Sequence, residues 1–149
     1  MAEIIKPPHR KKSVFLAGSI ENGSAKSWQV VIENELSDYD ITIFNPRRND
    51  WDSNWEQSIH NKEFKEQVEW ELDHLDKSDI IIMYFDENTK SPISLLELGL
   101  YASSGKMILY CPDGFWRKGN VDIVASRYNI TQVNSEKELI VAVKNMAKN

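Results

Sequence analysis

Apolar positions along the chain fall into short runs, and the stretches between them carry a helical period. Residues 13–17 (Ser-Val-Phe-Leu-Ala) and 41–44 (Ile-Thr-Ile-Phe) read as strands. The second is stopped by Asn45-Pro46, because proline cannot donate to a strand ladder. Residues 79–85 are apolar on both faces, the mark of a central parallel strand covered by helices on each side. Residues 107–110 and 130–133 supply two further strands. Helices are predicted over 24–37, carrying Trp28, Val31, Ile32 and Leu36, over 61–77, and within 91–106. A short helix over 122–127 and a last one from Ser135 complete the series.

Strands and helices therefore alternate through the whole length. That order predicts an α/β fold: a doubly wound, five-stranded parallel sheet in flavodoxin-like (Rossmann-like) order, a three-layer sandwich. With no repeat and no low-complexity linker, residues 1–149 are expected to form one domain, preceded by a basic arm over 1–12. Ligands of such sheets bind beyond the carboxyl ends of the strands. The segments expected there are 18–21, 45–51, 86–97 and 112–120.

Composition narrows the function. Apolar residues make up 41% of the 149, enough for a core, and the formal charge of -5 argues against a nucleic-acid polymer as partner. The basic run Lys6-Pro7-Pro8-His9-Arg10-Lys11-Lys12 reads as a solvated arm. No apolar run is long enough to cross a membrane, and none follows the basic residues as in a signal peptide, so a cytoplasmic protein is expected. Cys111 is the one cysteine, which leaves no intramolecular disulfide and no thiolate metal cluster. A structural thiol is expected.

Within Leu95-Leu96-Glu97-Leu98-Gly99-Leu100 one carboxylate interrupts an apolar run. Leu95, Leu98, Gly99 and Ala102 form a stripe expected to pack on the sheet, with Gly99 permitting close approach. Glu97 would share another face with Ile93, Leu100, Tyr101 and Ser104. A capping box, Ser94-x-x-Glu97, explains the carboxylate on helix geometry alone, although Ser91-Pro92 has the chemistry to open the helix instead. The alternative is an acid held against an apolar wall.

The preceding helix carries a second cluster. Phe64, Val68, Leu72 and Leu75 trace its buried stripe, while Gln67, Trp70, Glu71 and His74 share an adjacent face. Glu71-x-x-His74 has metal-ligand spacing, but the chain holds three histidines, His9, His60 and His74, and no second motif, so no metal is expected. Glu71 is either a second acid or a solvated helix residue. In Arg47-Arg48-Asn49-Asp50-Trp51-Asp52, arginines beside tryptophan suit a phosphate or a stacked base, or else a charged loop with local Arg-Asp pairing. Neither G-x-G-x-x-G nor a phosphate-binding G-x-x-x-x-G-K-[ST] is present.

An ordered set of stretches resembles the nucleoside 2-deoxyribosyltransferase family and the related deoxynucleoside-monophosphate N-hydrolases. These are Phe15-Leu16-Ala17-Gly18-Ser19-Ile20, Asn45-Pro46-Arg47-Arg48, Gln67-Val68-Glu69-Trp70-Glu71-Leu72, Ser78-Asp79, Glu97-Leu98-Gly99 and Trp116-Arg117-Lys118-Gly119-Asn120. The resemblance implies that Glu97 is a nucleophile that takes a deoxyribosyl group from one base and yields it to another. Glu71 would be the second acid, at a place where the transferases carry an aspartate. Gly18, Ser19, Asn45, Arg47, Asp50, Trp51, Gln67, Trp70 and Ser91 are the expected substrate-binding residues. Asn120 matches an asparagine lent to the neighbouring subunit, implying a homo-oligomer with shared sites. The implied partners are a small-molecule deoxynucleoside and a free nucleobase, with no cofactor.

Departures from the family pattern bear on the substrate. Ser91 stands where some transferases carry a base-reading aspartate and where the hydrolases carry a phosphate-contacting serine. Glu21 replaces a hydrolase arginine, and the aromatic C-terminus of some members is missing. Transfer from an unphosphorylated deoxynucleoside is the first expectation. Hydrolysis of a deoxynucleoside 5'-monophosphate, or a binding module without turnover, are the alternatives.

Overall fold

The computed structural model describes residues 2–4, 11–20, 27–48 and 54–148. In chain order its elements are β1 (Lys12–Gly18), α1 (Trp28–Glu35), β2 (Ile41–Phe44), α2 (Lys62–Lys77), β3 (Ile80–Tyr84) and α3 (Pro92–Tyr101). A 3-10 turn (Ala102–Ser104) leads to β4 (Met107–Tyr110), α4 (Lys118–Arg127), β5 (Thr131–Val133) and α5 (Glu136–Lys148). All pairings are parallel, and the strand order is β2-β1-β3-β4-β5. The doubly wound, flavodoxin-like sheet expected from the alternation is present.

Side-chain alternation along the strands builds the three layers. Phe15, Ala17, Ile81, Met83 and Leu109 join Leu75 of α2, Leu98 of α3 and Val121 and Ala125 of α4 in one buried cluster. Val14, Leu16, Ile80, Ile82 and Ile108 join Trp28 and Ile32 of α1 and Leu139 and Val143 of α5 in the other. Every residue of β3 is buried, as a strand covered on both faces requires. Each fully buried side chain of this size contributes about 1.5–3 kcal/mol, so the two clusters are what fix the helices on the sheet.

Helix boundaries differ in places from the pattern-based expectation: α1 ends at Glu35 rather than at residue 37. α4 starts at Lys118, a turn before residue 122, because the polar first turn Lys118-Gly119-Asn120 carries no apolar period. The helix within 91–106 ends at Tyr101 and passes through the 3-10 turn to Gly105, whose φ of +74° suits glycine. No described helix is long and apolar enough to cross a membrane. Cys111 is buried, and burial pushes its thiol up to about 12, which keeps it protonated.

The crossing of β1 and β3 positions the loops above them. Gly18 pairs with Tyr84 and has φ +136°, and a Cβ there would lie 2.1 Å from the Tyr84 carbonyl oxygen. Only glycine lets the chain leave β1 so close to β3.

Candidate functional site

The helix holding Glu97 begins differently from a Ser94 capping box. Ser91 is the N-cap, in the left-handed region at φ 47°, and Pro92 occupies the first helical position. Ser94 lies one turn inside, buried with Glu97 and Leu98. Gly99 also departs from its expected place: it is exposed, and a Cβ built on it meets nothing within 4 Å. Ile93, Leu96 and Leu100 are more than half exposed. The inward face therefore runs through Ser94, Glu97 and Leu98, and the carboxylate is turned into the protein at 7% exposure.

Glu71 meets it from α2. Burial, and after it the charge of Glu71, push the Glu97 carboxyl up to about 8. Glu71 is pushed up to about 7 by burial, opposed by a hydrogen bond from the Gln67 side chain. The reading of Glu71 as a solvated helix residue is thus corrected: α2 lays this turn against the core, through Trp70 beside Phe15 at 6.2 Å between ring centroids. His74 stacks on Trp70 at 4.2 Å, meets Phe44 edge-on at 4.7 Å, and its Nδ1 lies 2.7 Å from the Trp70 carbonyl oxygen. Its ring is a packing element of α2.

Two contacts hold α2 against α3 and β4. The Lys106 ammonium donates to the carbonyl oxygens of Leu75 (2.6 Å), Asp76 (3.0 Å) and Ser78 (2.7 Å), capping the helix end with charge opposite to its dipole. Tyr101 of α3 donates to Asp76 Oδ1 at 2.6 Å. The spacing between Glu71 and Glu97 is therefore set from outside the pair.

At the mouth of β1, Ser19 is fully buried and organises the next loop. Its N–H donates to Tyr84 O (2.9 Å), its carbonyl accepts from Trp28 Nε1 (3.1 Å), and its Oγ accepts from the Asp86 N–H (2.8 Å). The Ser19, Thr89 and Ser91 hydroxyls lie 2.7–2.9 Å from one another. Thr89 gives its proton to Asp86 O at 2.9 Å, leaving two protons for the three oxygen–oxygen contacts. Ser91, 4% exposed, is engaged in this ring at the start of the Glu97 helix.

The loop after β2 carries the remaining candidates. Asn45 spends both ends of its amide: Oδ1 accepts from Arg47 N (3.0 Å) and Nδ2 donates to Glu33 Oε1 (3.2 Å). Arg47 Nη1 donates to Gln29 Oε1 at 3.4 Å. Arg48 Nη1 donates to Gln67 Oε1 (3.2 Å), while Gln67 Nε2 donates to Pro46 O (3.3 Å). Asn45, Pro46, Arg48, Glu66, Gln67 and Trp70 line an open cleft of about 340 Å³. Asp50, Trp51 and Glu21 lie outside the described residues. A second concavity of about 370 Å³, lined by Asp122, Ile123, Ser126 and Arg127, holds none of these groups.

Asn120 stays apart, exposed on the first turn of α4. Near it, Trp116 donates its indole N–H to Lys90 O at 2.8 Å, and the Arg117 guanidinium lies 4.5 Å from the ring centroid. Sequence reasoning passed over Thr89, Lys106 and Gln29. A trace of Gln29 was available, since a glutamine beside Trp28 falls three residues before Ile32 and seven before Leu36, on a buried stripe.

None of the curated proteins matches the chain in sequence. A solved structure of a conserved protein from Enterococcus faecalis V583 is similar with a TM-score of 0.65 and 14% identity. The match covers 92% of this chain and 99% of that one, a likeness of fold. The family model described as "nucleoside 2-deoxyribosyltransferase like" matches residues 11–115, which span β1 through the loop after β4 and include both carboxylates. The chain belongs to this nucleoside 2-deoxyribosyltransferase-like family, and with it to the proteins that process nucleosides.

Proposed function

We propose that this protein cleaves the N-glycosidic bond of a 2'-deoxynucleoside and transfers the deoxyribosyl group to another nucleobase, through a covalent bond to Glu97. The observation that carries the reading is a pair of carboxylates, buried Glu97 and half-buried Glu71, both raised in pKa beside one another. A Glu97 oxygen attacks C1' as the C1'–N bond breaks, and the bonding electrons leave with the base. Glu71 gives that base a proton. In the second half the nitrogen of an incoming base displaces Glu97 from C1', and its proton returns to Glu71. The burial of Glu97 itself, at 7% exposure, limits the access of water to the glycosyl ester, which favours transfer over hydrolysis.

The proton has to move for this to work. Burial holds both carboxyls above the ordinary carboxylate range, Glu97 with the added charge of Glu71 beside it. Positive charge developing on the sugar favours ionised Glu97, while the departing base calls for protonated Glu71. Substrate binding therefore has to leave the proton on Glu71. The mutual engagement of the Ser19, Thr89 and Ser91 hydroxyls favours a nucleoside over a 5'-monophosphate.

Exposed Asn120 is assigned to the site of a neighbouring copy, so the active form is a homo-oligomer working in the cytoplasm without a cofactor. The test is incubation of deoxyinosine, or its monophosphate, with and without guanine. Deoxyguanosine formed only when guanine is present is expected. Free deoxyribose phosphate from the monophosphate would transfer the assignment to hydrolysis, and binding without turnover would remove the chemistry altogether.

A further inference from the structure

The loop between β2 and α2 ties two helices together by polar bonds. Towards α2, Arg48 reaches Gln67, which in turn bonds Glu71. Towards α1, Arg47 reaches Gln29 and Asn45 reaches Glu33, four residues further along the same helix face. Gln29 is only 1% exposed, yet its Nε2 has no hydrogen-bond partner, the one buried side-chain nitrogen or oxygen in that condition among the described residues. Burying an amide donor without an acceptor is destabilising, and native structures rarely keep one without a reason.

Its partner atoms define what would satisfy it. Gln29 Oε1 already accepts from Arg47. Gln29 Nε2 and the remaining Arg47 N–H groups are the donors still to be satisfied there. An incoming group must therefore present acceptors. Arg47 carries one positive charge, and the Glu33 carboxylate stands on the same face of α1, so the locality suits a neutral carbonyl better than a phosphate dianion.

We propose that Gln29 and Arg47 form a subsite that reads the exocyclic edge of the nucleobase and selects oxo-bases over amino-bases. This rests on the deoxyribosyl-transfer reading, because the acid that protonates the leaving base must lie beside it. Glu71 is linked through Gln67 and Arg48 to the same loop that carries Arg47. The base therefore sits against this loop, with its far edge towards α1. Hypoxanthine, guanine, uracil and thymine present a carbonyl oxygen at the exocyclic position read here. Adenine and cytosine present an amino group, which would set N–H against N–H. Rejection by unmatched donors is the strong form of specificity, and a preference of about 10- to 100-fold is expected.

The experiment compares kcat/KM for deoxyinosine against deoxyadenosine, and for thymidine against deoxycytidine, in the wild type and in Gln29→Glu. Calorimetric titration with free hypoxanthine and free adenine runs beside it. The wild type is expected to favour the oxo member of each pair at least tenfold, and Gln29→Glu, with acceptor oxygens in place of the donor, to collapse or invert that ratio. Circular dichroism checks the fold, and Gln29→Leu replaces a variant that fails it, with the same collapse expected. A wild-type ratio near one, or a ratio unchanged by the folded variants, overturns the subsite. If no nucleoside is turned over, the transfer reading falls and the titration decides alone. Tighter hypoxanthine binding lost in the variants upholds the subsite; equal or absent binding of the two bases overturns it.

Discussion

Glu97 and Glu71 lie near enough for the charge of Glu71 to add to burial in pushing the Glu97 carboxyl up to about 8. Two carboxyls from different helices are thus both held above the ordinary carboxylate range. An acid–base pair of that kind must show itself in the pH dependence of the reaction. kcat/KM should peak between about pH 7 and 8, falling on the acid side as both groups protonate and on the alkaline side as both ionise. Glu71→Gln should remove the alkaline limb, shift the acid limb to lower pH, and reduce the rate by about 10²–10⁴-fold. A profile unchanged by that substitution would detach Glu71 from the chemistry.

The same shift affects stability. Above the ordinary carboxyl range near 4.5 and up to about 8, the folded protein binds more protons at Glu97 than the unfolded chain does. Its contribution is therefore complete at low pH and lost as pH rises through about 8. Glu97→Gln removes the loss. The variant should be more stable than the wild type by about 1–3 kcal/mol near pH 9, with the gain vanishing near pH 4. Urea unfolding at the two pH values checks the sign.

Lys106 holds α2 from outside the pair. Lys106→Met removes three hydrogen bonds, to the Leu75 and Asp76 carbonyls of α2 and to that of its C-cap Ser78, and the charge that opposes the helix dipole. A loss of about 1–3 kcal/mol is expected in thermal or urea unfolding. Because Glu71 rides on that helix, kcat should fall more than KM rises. An equally stable variant would mean that the ammonium adds nothing beyond what water gives the helix end.

Gly18 allows no side chain. In Gly18→Ala the new methyl group would sit 2.1 Å from the Tyr84 carbonyl oxygen, at a φ of +136° that alanine rarely adopts. Destabilisation of about 3–5 kcal/mol is expected, large for one methyl group, and readable as a drop in Tm.

The sheet was legible in the sequence because strand alternation and the continuous apolar run of β3 are properties of neighbouring residues. Residues 41–44 and 107–110 fall where β2 and β4 lie. The inward face of α3 was not legible. A helical wheel turns Leu95, Leu98, Gly99 and Ala102 inward and sets Glu97 on another face, yet the helix buries Glu97 with Leu98 and leaves Gly99 exposed. Pro92 and the left-handed Ser91 fix where the helix starts, and the Ser19, Thr89 and Ser91 hydroxyls fix Ser91 itself. That contact spans about seventy residues of chain, beyond the reach of any local pattern. Gln29 and Lys106 were hidden for the same reason: their partners are Arg47 of a distant loop and the end of α2.

The central claim is that Glu97 carries the deoxyribosyl group, and one measurement addresses it directly. The protein is mixed with a deoxynucleoside without an acceptor base, quenched in acid within seconds, digested, and mapped by mass spectrometry. A deoxyribosyl mass increment on the peptide containing Glu97, removed by adding a free base before the quench and absent in Glu97→Gln, is the predicted result. Turnover at wild-type rate in Glu97→Gln, or an increment that maps to another residue, would contradict it.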